Sequence, residues 1–322
     1  QRFSTLNFND DAETEIKDLF VNEGSKWFNY PLGVINEFLK KGIRIEGLEF
    51  LFYGDVPNGA GLSSSASIEM VTAVALNDLF GAGLEMIEMV KMCQRAENEF
   101  VGMNCGIMDQ FAVGFGKKDH AIFLNCDTLS YENVPLDLKE YSLIITNTNK
   151  RRGLTDSKYN ERRAECEKAV ELLQDYKPIR NLSELDTGEI NILDKFIADP
   201  VIRRRAKHVI TENGRVLEAV KVLKENDIGR FGRLMDESHD SLKNDYEVTG
   251  VELDTLVYEG RKLPGVIGTR MTGAGFGGCT ISIVETGNSG KFITELAAIY
   301  TKTTSLVPDF YLPEIGSGAG KL

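Results

Sequence analysis

Hydrophobic and polar positions follow two rhythms along this chain. In "IEGLEFLFYGDV", from Ile45 to Val56, β-branched and aromatic residues crowd together and predict a strand. The strand runs into "PNGAGLSSSASIE", and beyond it Ile68, Val71, Ala75 and Leu79 recur at helical spacing through "SIEMVTAVALNDLF". Gly81 and Gly83 close that helix. "LEMIEMVKMCQRAENEF" predicts a second helix, broken at the Gly/Asn turn "VGMNCGIMDQF", while "HAIFLNC" and "YSLIITNTN" read as further strands. From about Lys150 long charged helices take over, in "SKYNERRAECEKAVELL", "PVIRRRAKHVITENGRVLEAVKVLKEN" and "FGRLMDESHDSLKNDY". "VIGTRMTGAGFGGCTISIVE" then returns to strand, glycine turn and strand. This change of texture predicts an α+β chain of two closely packed domains, 1–150 and 151–322, with no repeat and no low-complexity linker.

At 322 residues, with 42% hydrophobic and 27% charged positions, the chain has the material for sizeable cores. A net charge of −12 argues against general nucleic-acid binding and against docking on an anionic membrane. The five cysteines, Cys93, Cys105, Cys126, Cys166 and Cys279, form an odd set without a CxxC pair and read as reduced thiols of a cytoplasmic protein. His120, His208 and His239 show no metal-ligand spacing. No stretch approaches a membrane span and no signal peptide is visible. "NKRRG" and "VIRRRAKH" read as solvated or salt-bridged faces. The first residue is Gln1 and not Met, which raises the expectation of a missing native N-terminus.

The loop "PNGAGLSSSASIE" admits two readings. Glycines allow close approach of the main chain, and a helix start presents free N–H groups and a positive dipole end, so the stretch suits an anion such as phosphate. A strand-to-helix turn with a serine N-cap explains it equally. It is neither a Walker A loop nor GxGxxG, so phosphate would be held by main-chain N–H groups and hydroxyls, and a serine at the helix start could ligate Mg²⁺. Glu97 is the second candidate. At roughly 100° per residue it falls inside the stripe of Met86, Met89, Val90, Cys93 and Phe100. A carboxylate there is costly unless paired or metal-bound, with a structural ion pair or an edge position as the alternative. Asp109, ahead of the helix "DQFAVGF", is either an N-cap or a carboxylate aimed into a cleft. "MTGAGFGGC" has four glycines in nine residues between two strands, so backbone must pack there against backbone or a ligand. Cys279 reads as a small buried filler.

Taken together, these motifs resemble the GHMP kinase superfamily of small-molecule kinases, and within it the galactokinase family. "PNGAGLSSSASIE" looks like the family's second signature and "MTGAGFGGC" like its third. "AENEFVGMNCGIMDQF", "TNTNKRRGLTDSKYNERRAEC" and "AKHVITENGRV" match further segments, so the likeness runs essentially end to end. The resemblance implies a two-domain GHMP kinase fold, with an N-terminal mixed α/β domain over 1–150, N-terminally incomplete, and a ferredoxin-like C-terminal domain over 151–322. It implies that Gly59, Ala60, Gly61, Leu62, Ser63, Ser64 and Ser65 cradle the phosphates of ATP, and that Ser65 and Glu97 hold Mg²⁺. Asp109 would be the base for the sugar's anomeric hydroxyl, with Gly106 and Tyr159 beside it in the sugar site. Trp27 and Tyr30, in "KWFNYPLGV", match a segment near the adenine, or are core aromatics. The implied activity is transfer of the γ-phosphate of ATP to D-galactose, by a cytoplasmic monomer whose partners are these small molecules, with no nucleic acid and no membrane. An N-acetylgalactosamine kinase and a catalytically silent galactose sensor are the alternatives, and the intact "LSSSAS" weighs against the sensor. The family's first signature, similar to "GRVNLIGEHTDYN", has no counterpart in the sequence. That segment supplies an arginine beside the aspartate and polar contacts to the sugar, so these 322 residues alone are expected to keep MgATP affinity and to need it for turnover.

Overall fold

The computed structural model describes residues 1–7, 10–15, 19, 21, 27–57, 60–150 and 155–321, with the side chains of 155–157 outside that set. The chain divides into two compact units, Gln1–Asn133 with Ile315–Leu322, and Val134–Glu314. Among the described residues no helix is long and apolar enough to cross a membrane.

The first unit contains β1 (Arg2–Thr5), β2 (Ala12–Glu13), α1 (Asn29–Lys40), β3 (Glu49–Phe52), α2 (Ser64–Leu79), α3 (Met86–Arg95), α4 (Met108–Phe115), β4 (His120–Leu124) and the start of β5 (Tyr131–Pro135). β1 lies between β2, antiparallel to it, and β3, parallel to it, and Phe3 stacks on Phe50 with ring centroids 5.1 Å apart. One core joins Phe28, Leu32, Ile35 and Phe38 of α1 and its approach to Met70 and Leu76 of α2, Met89, Met92 and Cys93 of α3, and Phe111 of α4. The predicted stripe of α2 is on the wrong side. Val71 and Leu79 are exposed, whereas Ala66, Glu69, Met70, Ala73 and Leu76 are buried. Apolar residues surround this helix, so their spacing alone does not say which face the neighbours cover. β5 carries no strand signal in its sequence, because Glu132, Asn133 and Pro135 are poor strand formers, and it exists through pairing with β4.

Two features place the segment after α3. The helix does not end at Arg95 but passes into a π-helical turn, Ala96–Val101. Gly33 of α1 lets that turn come close, since a Cβ at position 33 would stand 3.1 Å from Ala96 Cβ and 3.3 Å from Phe100 Cβ. The buried Glu37 of α1 then pairs with Arg95 Nε at 2.8 Å. At the far end of α4, Gly318 N–H donates to the Gly116 carbonyl (2.7 Å) and Ala319 N–H to that of Val113 (2.8 Å), tying the C-terminal segment to this helix.

The second unit holds β6 (Tyr141–Asn147), α5 (Thr155–Leu173), α6 (Leu193–Phe196), α7 (Pro200–Lys224), α8 (Ile228–Ser241), α9 (Val251–Gly260), β7 (Val266–Thr272), β8 (Cys279–Glu285), α10 (Ser289–Thr304) and β9 (Asp309–Tyr311). Its antiparallel sheet runs β7-β8-β6-β9. The expected division near residue 150 would leave β6 with the first domain, yet every residue of β6 is in register with β8, from Tyr141 opposite Glu285 to Asn147 opposite Cys279. A change in charge texture cannot reveal a strand partner more than a hundred residues away. Leu256, Phe292, Leu296 and Tyr300 of α9 and α10 pack on Ile144 and Val284 of the sheet. The run "VIRRRAKH" is salt-bridged as its composition predicts, with one member inside. Arg203 pairs with Asp194 at 2.6 Å, whereas Arg205 is buried between Glu165 (2.8 Å) and Glu247 (2.6 Å).

Candidate active site

The glycine loop meets α2 at Ser63, which is left-handed (φ 62°, ψ 31°), a conformation that costs a non-glycine residue about 1–2 kcal/mol. Gly61 before it is also at positive φ (74°), and Ala60 is buried. Gly59 lies outside the described residues. Ser63 occupies the N-cap position of α2 without a capping side-chain hydrogen bond of its own. Its hydroxyl instead bonds the carboxylate of Asp109. Ser64 and Ser65 follow as the first two helical residues, half-buried beside an N-terminus open to an anion. Asp109 is not the N-cap of its helix. Ile107 takes that position, and Asp109 is the second residue of α4. Burial pushes its carboxyl above the ordinary aspartate range, and the Ser63 hydrogen bond offsets part of that rise.

Behind Asp109 lies a buried polar cluster. Glu97, in the π-helical turn, is 7% exposed, so the stripe reading located it correctly. Gln110 Nε2 donates to Glu97 Oε2 (2.5 Å) and to Glu69 Oε2 (3.1 Å), and both Gln110 and Glu69 are fully buried. Cys105 Sγ lies 3.4 Å from Glu97 Oε2, its thiol pushed up to about 12 by burial and then by Glu97. Tyr30 faces the same pair, its phenol raised by burial first, then by Glu97 and Glu69. Among the described residues, no cationic side chain contributes to the shifts of Glu69, Tyr30, Cys105 or Asp109. Both hydrogen bonds to the Glu97 carboxylate among the described residues land on Oε2, which leaves Oε1 open. Buried oxygens without a balancing cation suit a hard divalent ion, which takes oxygen ligands and few carboxylates.

Burial, then the charge of Glu97, pushes Glu69 up to about 9, well above its ordinary 4.5. The native state therefore keeps a proton that the unfolded chain has lost. This stabilisation is complete below pH 4.5 and is lost as pH rises toward about 9. Glu69→Gln abolishes that dependence, so its stability, followed by melting curves, should gain on the wild type steadily between pH 5 and pH 9, by up to a few kcal/mol. Parallel melting curves across that range would contradict the buried acid.

The structure thus gathers Ser63, Asp109, Glu97 and Tyr30 in one unit and adds Glu69 and Gln110, which sequence reasoning missed. Their signal was present: Ala66, Glu69, Met70, Ala73 and Leu76 share helical spacing as good as the stripe chosen from sequence. Trp27 is placed elsewhere, edge-on to Phe28 and Phe52 at centroid distances of 6.1 and 5.8 Å. Gly106 is exposed, and a Cβ there would meet nothing within 4 Å. Tyr159 belongs to α5 of the second unit and is 40% exposed. In that unit, all four glycines of "MTGAGFGGC" have positive φ, and a Cβ on Gly275 would stand 2.2 Å from the Val248 carbonyl oxygen. Backbone does pack on backbone there, and Cys279 is buried.

Two family models match the chain, the GHMP kinases N terminal domain over residues 29–117 and the GHMP kinases C terminal domain over residues 219–301. The first runs from α1 through α4 and contains the whole Ser63–Asp109–Glu97 group, which places the chain in the GHMP class of kinases. The galactokinase of Clostridium acetobutylicum is 54% identical over 311 residues, 96% of this chain and 80% of that one. The galactokinase of Bacillus subtilis is 48% identical over the same shares. The crystal structure of Lactococcus lactis galactokinase complexed with galactose superposes with a TM-score of 0.95 at 42% identity, over 100% of this chain and 84% of that one. The chain belongs to the galactokinase family, and it is an ATP-dependent sugar kinase.

Proposed function

We propose that the chain transfers the γ-phosphate of ATP to the anomeric hydroxyl of D-galactose, giving galactose 1-phosphate. The observation that carries this reading is Asp109, a carboxylate of raised proton affinity bonded to a serine at an uncapped helix start. Phosphoryl transfer needs positioning and charge neutralisation more than covalent catalysis. Ala60 to Ser65, with Gly59, are read as the phosphate cradle, and Asp109 as the acceptor of the sugar's proton. Gly106, where a Cβ would meet nothing within 4 Å, is read as a sugar-lining residue and Trp27 as an adenine-side one. The Ser65 hydroxyl and the Glu97 carboxylate would hold Mg²⁺, which when bound neutralises part of the triphosphate charge. A monomer in the cytoplasm is the matching expectation.

The test is ADP release by the full-length protein with galactose, with N-acetylgalactosamine and without sugar. Galactose should be turned over at least about tenfold faster than its N-acetylated counterpart. The reverse order reassigns the substrate, and no turnover with either returns the silent sensor. In the same assay Ser65→Ala and Glu97→Gln should each raise the Mg²⁺ requirement, with a less than additive double variant.

A further inference from the structure

Three buried polar side chains from three helical segments meet: Glu69 on α2, Glu97 in the π-helical turn, and Gln110 on α4. An apolar trio would fill this space without the loss of hydration, so stability alone gives no reason for them. The assigned roles leave Glu69 and Gln110 unused. Their geometry is specific. The Gln110 amide nitrogen has two hydrogens, and each is directed to a different carboxyl group, at 3.1 Å to Glu69 Oε2 and 2.5 Å to Glu97 Oε2. Turned over, the amide would set its oxygen against the Glu97 carboxylate; in the orientation present, the second amide hydrogen is held by the acceptor oxygen of Glu69, which steadies the Gln110 side chain. Gln110 also follows Asp109 directly, in the first turn of α4.

We propose that Glu69 and Gln110 are positioning residues of the kinase reaction: Glu69 orients the Gln110 amide, and that amide pins one oxygen of Glu97 so that the other is presented to a divalent cation. The proposal rests on the reading of Glu97 as a metal-holding residue. Without the clamp, the long Glu97 side chain has other rotamers available, and each of them moves the oxygen that the cation needs.

The experiment compares Glu69→Leu, Gln110→Met and Glu69→Gln with the wild type and with Glu97→Gln as reference. Apolar side chains of similar volume at buried polar sites commonly preserve folding, which melting curves check. Glu69→Leu and Gln110→Met should each lower kcat about tenfold to a hundredfold with little change in the KM for sugar. Calorimetric titration with ADP, with and without Mg²⁺, gives a readout independent of turnover. Both variants should lose about tenfold of the affinity gained from Mg²⁺ and keep the metal-free affinity. Glu69→Gln, which keeps an acceptor oxygen toward Gln110, should restore most of both. A merely structural role would lower melting temperature and leave the Mg²⁺ gain intact. If Glu97→Gln loses that gain while Glu69→Leu and Gln110→Met keep it, the clamp is overturned and the metal reading stands. If Glu97→Gln also keeps the gain, the metal reading fails and the clamp falls with it. Should Glu69→Leu not fold, Gln110→Met decides the matter by the same titration.

Discussion

Asp109→Asn is expected to lower kcat by about two to four orders of magnitude while leaving ATP affinity nearly unchanged. The substitution keeps the size of the side chain and an oxygen for the Ser63 hydroxyl, so the loop and the start of α4 should hold their places. What disappears, on the proposed reading, is the basicity of the carboxylate that would take the proton as the sugar hydroxyl attacks. Burial already holds the Asp109 carboxyl above the usual aspartate range, so the base is ready only at a pH above that raised value. The wild-type kcat/KM profile should therefore fall on the acid side at a pH higher than an exposed aspartate would give, and this limb should vanish in Asp109→Asn. Stopped-flow or coupled ADP assays from pH 4 to 8 measure both effects. Turnover within about tenfold of the wild type would reduce Asp109 to a first-turn helix residue with no part in proton transfer.

Gly232→Ala should destabilise the second unit by at least about 3 kcal/mol, against the ordinary trend for glycine in a helix. In the interior of an exposed helix this exchange usually gains about 1 kcal/mol, through propensity and a less disordered unfolded chain. Here α8 lies directly on β7. A Cβ at position 232 would stand 2.2 Å from the Ile267 carbonyl oxygen, and one at Gly268 would stand 2.2 Å from the Gly232 oxygen. Both are backbone oxygens, one of strand β7 and one of α8 itself, so no side chain can swing aside. The helix must lift, and Leu234 and Met235 with it. Gly229→Ala is the internal control, since its Cβ would meet only side-chain atoms at 3.6 Å and beyond. Thermal unfolding followed by circular dichroism should show a marked loss for Gly232→Ala and none for Gly229→Ala. Equal behaviour of the two would show that α8 and β7 separate at little cost.

Much of the site is legible in the sequence where the constraint is local. Glu97 is found from α3 alone, because a regular helix turns through a fixed angle and a carboxylate among Met89, Val90 and Cys93 is out of place. Glu97 lies just past α3 in the π-helical turn and is still buried there. The four glycines of "MTGAGFGGC" likewise declare themselves, since positive φ at each is a property of the residue's own backbone. The same local reasoning goes astray on α2, whose apolar residues offer two faces and no way to rank them.

The sequence by itself determined β3, β4, β6, β7 and β8 and the helices α2, α3, α5, α7 and α8, the anion-ready turn before Ser64, and the place of Glu97, because backbone geometry and nearest neighbours suffice for these. The tertiary structure decided which face of α2 is buried, and so brought Glu69 to Gln110 across 41 residues of chain. It turned the Ser63 hydroxyl to Asp109 instead of to the helix it precedes, and it joined β6 to β8. Desolvation and the field of one carboxyl on another depend on what packs around a group, and for Asp109 and Glu69 those neighbours come from distant parts of the chain.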